Sequence, residues 1–228
     1  MTNTAKLYAI SVAVIGLALT TTLIAGGWEY PETPRFLILL ALTSIAAILK
    51  VKLPTIEGSM SVLFVFLLIG IATMSLAQTL VMGSIATLLQ CIWKPKRRLK
   101  PLQVLFNVAA VNLSTIAAYY VPSLLGEGMD NPVSLVLSGC TFFAANAGLV
   151  SLVISLTQSE SLEQVLRQAY LWSFPYYLIG AAIAGAVSSS THQVGWKVSM
   201  FILPLMYLVY RYYRICLANR SRLVPAAQ

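Results

Sequence analysis

The feature that most constrains this chain is residues 59–93, a long stretch without a single charged side chain. A helix that crosses a bilayer needs about 20 apolar residues, so this stretch is too long for one span. The whole chain has the same character, with 58% hydrophobic residues, 10% charged residues and a mean hydropathy of +0.81. A soluble domain carries about 25% charged residues. These values exclude a soluble domain, a disordered chain and a disulfide scaffold, and they predict an all-α, polytopic membrane protein.

The apolar runs predict a single integral membrane domain, residues 1–228, that is a bundle of about eight transmembrane helices. We divide residues 59–93 at Ser75, because Ser75 and Gln78 form a capping-box pattern. The first helix of the resulting pair is near or below spanning length, so seven spanning helices plus one re-entrant helix is the alternative. A short amphipathic stretch is expected at 162–169 and a polar loop at 188–192. The predicted spans are 7–26, 34–51, 61–74, 76–93, 102–121, 132–156, 170–187 and 194–213.

The distribution of charge predicts the orientation of these helices. The net charge of +8 comes from 15 Lys and Arg against 7 Asp and Glu. With both termini in the cytoplasm, every basic residue except Arg35 and Lys197 falls on the cytoplasmic side, as the positive-inside rule requires. The basic residues lie at the ends of apolar runs and no nucleic-acid motif is present, so the lipid bilayer, and not a nucleic acid, is the expected partner.

One basic segment, residues 94–101, separates the fourth and fifth spans and is predicted to be a cytoplasmic hinge. Its charges can anchor the topology, bind anionic lipid headgroups or dock a cytoplasmic partner. The candidate docking residues are Lys94, Lys96, Arg97, Arg98 and Lys100.

The chain carries no pattern of residues that is typical of catalysis. No Asp, Glu, Lys, Arg or His falls in the middle third of a predicted span, which argues against a pump or an ion-coupled carrier. No metal-binding, nucleophile or phosphate-binding motif is present, so we expect no enzyme, no metal and no cofactor. The single histidine, His192, lies in a predicted outside loop.

Uncharged polar side chains inside the spans are the remaining candidates for a site. Asn107, Asn112 and Asn146 carry amides that need partners in an apolar surrounding, and Gln90 is a fourth candidate. One interpretation is that these amides join neighbouring helices, with about 0.6–2 kcal/mol for each pair. The other interpretation is a polar pocket that binds a small uncharged ligand.

Residues 52–120 resemble the membrane region at the N-terminus of bacterial cyclic-di-GMP signalling proteins, which carry an HD-GYP phosphodiesterase or a GGDEF cyclase domain behind it. The matching pieces are LPTIEGSMSV, TLLQCIWKPKRRLKP and QVLFNVA, and YLVYRYYRICLANR looks like the point where such proteins leave the membrane. The resemblance implies a sensor-type membrane region in the bacterial inner membrane. No HD, GYP or GGDEF motif follows, so we expect either a membrane-only relative or a fragment without the output domain.

Two function classes remain open from the sequence. The first is a sensor or anchor module that relays a small-ligand or bilayer signal to a cytoplasmic output domain or partner through an exit helix, residues 211–228. A relay of this kind predicts a homodimer, because signalling helices usually associate about a two-fold axis. The alternative is a substrate-binding subunit of a vitamin-type transporter.

Overall fold

Eight α-helices make up most of the chain that the structure describes, which confirms the all-α helical bundle. The computed structural model describes residues 2–28, 33–48, 50–52, 59–93, 99–124, 126, 132–158, 160–167 and 174–194. Two three-residue strands, β1 (Lys50–Lys52) and β2 (Ser59–Ser61), pair antiparallel between the second and third helices. The helices are α1 (Asn3–Gly27), α2 (Thr33–Ile48), α3 (Leu63–Thr73), α4 (Leu76–Ile92), α5 (Pro101–Leu124), α6 (Pro132–Gln158), α7 (Leu162–Val165) and α8 (Phe174–Val194).

The short helix α3 lies at the centre of the bundle. All of its residues from Leu63 to Ile71 are buried, and α2, α4, α5, α6 and α8 all pack around it. A helix that is apolar on every face has to be enclosed, and the sequence of α3 meets that condition. Its 11 residues give a length of about 16 Å, which is about half of a bilayer's hydrocarbon core.

Helices α3 and α4 form an antiparallel hairpin that turns at Met74 and Ser75. The predicted helix start at Ser75 is confirmed, because the Ser75 hydroxyl caps α4 by accepting a hydrogen bond from the Gln78 backbone N–H at 3.3 Å. Gly70 of α3 faces Thr79 of α4, where an added Cβ would lie 2.9 Å from the Thr79 hydroxyl oxygen. The absence of a side chain at Gly70 therefore lets the two helices approach closely.

Side-chain contacts fix the directions of the longer helices. Gly16 meets Ala109 and, one turn later, Thr20 meets Asn112, so α1 and α5 run parallel. The Thr2 hydroxyl donates to the Leu156 carbonyl at 2.8 Å, so the start of α1 lies beside the end of α6 and these two helices run antiparallel. Helix α4 is antiparallel to α5, and α6 is antiparallel to α8.

Because of these helix directions, all but one of the described lysines and arginines lie at the same end of the bundle. Lys6 lies in the first turn of α1, Lys100 precedes α5, and Arg167 follows α6 and α7 at the same end. The strands, with Lys50 and Lys52, join α3 on the side where α4 ends and α5 begins. Arg35 is the exception among the described lysines and arginines. The Trp28–Phe36 ring contact, with centroids 6.0 Å apart, places the start of α2 at the opposite end.

Three of the described helices are long and apolar enough to cross a membrane by length and composition. They are α1, the Pro101–Val121 part of α5, and the Val133–Gln158 part of α6. This finding supports a membrane protein. Shorter apolar segments include Pro34–Ile48, Leu63–Thr73, Leu76–Ile92 and Tyr177–Ala186.

The structure corrects three of the predicted boundaries. The second helix ends at Ile48 and not at residue 51, because the chain turns into strand β1. The third begins at Leu63, since Ser61 belongs to β2. The predicted loop at 188–192 is helical, because neither Gly nor Pro occurs between Gly185 and Gly195, and Ser and Thr lower helix stability only slightly. The eighth predicted span lies outside the described residues beyond Val194.

Candidate functional site: a buried amide between three helices

The amide of Asn112 is a fully buried polar group with side-chain partners on two other helices. Asn112 occupies the middle of α5 and is 0% exposed. Two neighbouring helices approach it closely: α1 brings Gly16 against Ala109, where an added Cβ would lie 2.6 Å from the Ala109 Cβ, and α4 brings Gly83 against Asn112 itself. Small residues at these crossings let three backbones converge on one side chain.

The Asn112 nitrogen holds the three helices together. Nδ2 donates to Thr20 Oγ1 of α1 at 3.2 Å and to Ser84 Oγ of α4 at 2.8 Å. Each hydroxyl donates a hydrogen bond to a backbone carbonyl of its own helix, Thr20 to Gly16 at 2.7 Å and Ser84 to Leu80 at 2.8 Å. An amide nitrogen carries two protons, so both are used. Each interhelical pair of this kind stabilises a bundle by about 0.6–2 kcal/mol.

The Asn112 oxygen has no hydrogen-bond partner among the described residues, although it is buried. It lies against Gly83, 3.1 Å from the position that a Cβ on that glycine would occupy. The same Cβ position is 3.3 Å from Leu67 Cδ2 of α3. A buried acceptor without a donor costs about 1–3 kcal/mol. The site therefore has unused capacity to accept one hydrogen bond.

Thr87 lies one turn beyond Gly83 on the same face of α4. It is 2% exposed, and its hydroxyl also has no partner among the described residues. A hydroxyl can donate as well as accept. This face of α4 therefore carries an unused donor at Thr87 and, at Gly83, contacts an unused acceptor, the Asn112 oxygen of α5.

The other candidate amides are engaged elsewhere. Asn107 Nδ2 donates to the Cys91 sulfur at 3.6 Å, which adds a second α4–α5 contact nearer the basic end. The Asn146 side chain is hydrogen-bonded to Tyr177, which joins α6 to α8. Gln90 is half-buried on α4 and has a partner. The structure thus gives the three amides separate partners: Asn107 and Asn112 both bond to α4, at different levels, whereas Asn146 joins α6 to α8.

An aromatic cluster surrounds the contact of α3 with α6 and α8. The Phe64 and Tyr177 ring centroids are 4.2 Å apart, and Phe143 lies 5.0 Å from Tyr177 and 5.2 Å from Phe174. This cluster fixes α8 against the central helix, and Phe64 fills the space over Gly180.

Most of the basic hinge lies outside the described residues, namely Lys94, Lys96, Arg97 and Arg98. Lys100 is described and exposed, and its backbone N–H donates to the Gln103 side chain at 2.9 Å at the start of α5. Within the described ranges, no group of three or more His, Cys, Asp or Glu side chains is placed to hold a metal ion.

The sequence did not single out Thr20, Gly83, Ser84 or Thr87 as site residues. Their spacing offers only a weak signal, since Gly83, Ser84 and Thr87 recur at helical intervals on α4. These residues form a site only because α1, α4 and α5 pack in a register that brings them to the Asn112 amide.

Comparisons with protein-family models, with curated proteins and with solved structures gave no match for this chain.

Proposed function

We propose that the chain is a membrane-embedded sensor or anchor module that relays a small-ligand signal, or a change in the bilayer, to a cytoplasmic output domain or partner. The observation that carries this proposal is the Asn112 amide, which joins α1, α4 and α5 at the middle of the bundle and keeps one acceptor unused. A neutral ligand or a shift between these helices would change its pairing. The proposal therefore assigns the input to Asn112 and its hydroxyl partners.

The proposed location is the bacterial inner membrane, with multiple spans and both termini in the cytoplasm. All described basic residues except Arg35 lie towards one end of the bundle, and the positive-inside rule favours that end as the cytoplasmic one. Lys100, together with the basic residues of 94–98, would there meet anionic headgroups or a partner, at about 1 kcal/mol for each charge near the surface.

The proposed output is the exit segment, residues 211–228. Its sequence contains no Gly, and its first Pro is Pro225, so a continuous helix is expected as far as Asn219. A continuous helix transmits rotation or displacement, whereas a flexible linker does not. The resemblance to the membrane regions of cyclic-di-GMP signalling proteins supports the same assignment, and a homodimer would bring two output segments together.

The test is disulfide cross-linking in proteoliposomes. Cys91 and Cys140 are replaced by Ala in every variant, and Cys216 is replaced by Ala except where it is itself the position tested. Single cysteines are then placed in turn along residues 211–222. The scan is run in dimyristoyl and in dioleoyl phosphatidylcholine, each with phosphatidylglycerol, so that bilayer thickness changes while headgroups do not.

A relay predicts cross-linking that repeats with a period of about 3.5–3.6 residues and that changes between the two bilayers. A monomeric chain with no cross-linking at any position would contradict the relay and would favour the substrate-binding subunit of a transporter.

A further inference from the structure

The serine and threonine hydroxyls of this bundle follow a common pattern. Most donate a hydrogen bond to a backbone carbonyl three or four residues earlier in the same helix, which satisfies the hydroxyl without help from a neighbour. Those that do so across four residues include Ser11, Thr20, Thr43, Ser44, Thr73, Thr79, Ser84, Ser114, Thr115 and Thr157.

Thr87 departs from this pattern. Its hydroxyl makes no bond to its own helix or to a neighbour within the described residues, although the residue is 2% exposed. Almost all buried polar groups in proteins have a partner, so an unpaired donor needs an explanation. The fold brings one unused acceptor among the described residues to the same face of α4, namely the Asn112 oxygen, which lies against Gly83.

The spacing along α4 of Gly83, which the Asn112 oxygen contacts, and Thr87 suits one bridging atom. Gly83 and Thr87 are one helical turn apart, which is about 5.4–6 Å along α4. Two hydrogen bonds of about 2.8 Å through a single oxygen reach about 5.6 Å. Charged groups are absent from the described parts of α3, α4 and α5 between Leu63 and Ile92 and between Leu102 and Leu124, which favours a neutral bridge, since a charged one would have no counter-charge there.

We propose that the junction of α3, α4 and α5 is a binding site for one neutral hydroxyl oxygen, which accepts from Thr87 Oγ1 and donates to Asn112 Oδ1. The oxygen belongs either to a buried water or to the hydroxyl of a membrane-soluble ligand. In both cases it uses the donor and the acceptor that the protein leaves unpaired. This inference rests on the proposed function only in placing the ligand chemistry at the same amide.

The direction in which one substitution changes the stability of the protein tests the proposal. Thr87→Val keeps the shape of the side chain and removes the hydroxyl. If the oxygen is bound, this change leaves the Asn112 carbonyl without its donor, and the unfolding equilibrium constant rises by about tenfold. If the hydroxyl is merely unsatisfied, its removal leaves that constant unchanged or lowers it, and this result would overturn the proposal.

Two matched variants control for the loss of a buried hydroxyl. Ser151 is 0% exposed and its hydroxyl is also unpaired, but it lies on α6, so Ser151→Ala should not destabilise the protein. Thr115 is 0% exposed and donates to its own helix at Val111, so Thr115→Val should raise the unfolding constant less than Thr87→Val does.

Solid-state NMR in proteoliposomes distinguishes the two sources of the oxygen. Transfer of magnetisation from water protons to Thr87 identifies a buried water. A saturable shift of the Thr87 resonances on addition of 1-hexanol identifies a hydroxyl-bearing ligand. The absence of both signals overturns the site, whatever the stability of Thr87→Val. None of these measurements uses residues 211–222, so failure of the oxygen site and failure of the relay are separate outcomes.

Discussion

Replacing Gly180 by Ala tests how tightly α8 packs against the central helix. A Cβ at this position would lie 2.5 Å from Phe64 Cε2 and 2.9 Å from Val65 Cγ2, well inside van der Waals contact. Phe64 is only 2% exposed, and its ring is held beside Tyr177 at a centroid distance of 4.2 Å. The ring therefore cannot move aside without disturbing the aromatic cluster.

The expected magnitude follows from two opposing terms. Ala is favoured over Gly in a helix by about 1 kcal/mol. Overpacking of a filled core costs about 1–3 kcal/mol, and loss of an aromatic pair adds about 0.5–1.5 kcal/mol. Packing outweighs propensity, so Gly180→Ala should lower the free energy of unfolding by about 1–2 kcal/mol.

Unfolding in mixed micelles titrated with SDS measures this difference. Gly148→Ala is the matched control, because an added Cβ there meets no other atom within 4 Å, and it should leave stability unchanged or raise it slightly. In a double-mutant cycle, Phe64→Leu should recover part of the loss caused by Gly180→Ala. If Gly180→Ala is as stable as Gly148→Ala, the close packing of Phe64 on α8 is wrong.

Two further predictions concern the amide site and the topology. Ser84→Ala removes one partner of the buried amide and should lower the free energy of unfolding by about 1–2 kcal/mol in the same titration, whereas Ser11→Ala, an exposed hydroxyl bonded to its own helix, should have little effect. The single-cysteine variant Ser123→Cys should react with a membrane-impermeant maleimide from outside the cell, whereas Lys100→Cys should react only after the cells are opened. Reaction of the Lys100→Cys thiol from outside would contradict the orientation.

Local signals in the sequence were sufficient to predict several helix boundaries. Ser75 and Gln78 predicted the turn between α3 and α4, because a capping box is read from residues three apart. The loop predicted at 188–192 is wrong, since polarity alone does not end a helix when neither Gly nor Pro is present.

The candidate site could be predicted only in part. The sequence identified Asn112 as an amide that needs partners, but Thr20 and Ser84 lie far from it along the chain. Their convergence depends on how α1 and α4 pack on α5, which is decided by close approaches such as Gly16 to Ala109. Such contacts between distant segments carry no signature within any one segment, so the partners of the amide appear only in the folded bundle.

The proposed relay requires the Asn112 pairing to be coupled to the exit segment, residues 211–228. The most direct test compares the rate of disulfide cross-linking at the most reactive position of residues 211–222 in three otherwise identical proteins: the parent, Asn112→Leu and Thr115→Val. Thr115 is one turn from Asn112 and bonds only to its own helix, so it controls for any change in α5. We expect a several-fold change in the cross-linking rate for Asn112→Leu and none for Thr115→Val. A folded Asn112→Leu protein that cross-links at the parent's rate would contradict it.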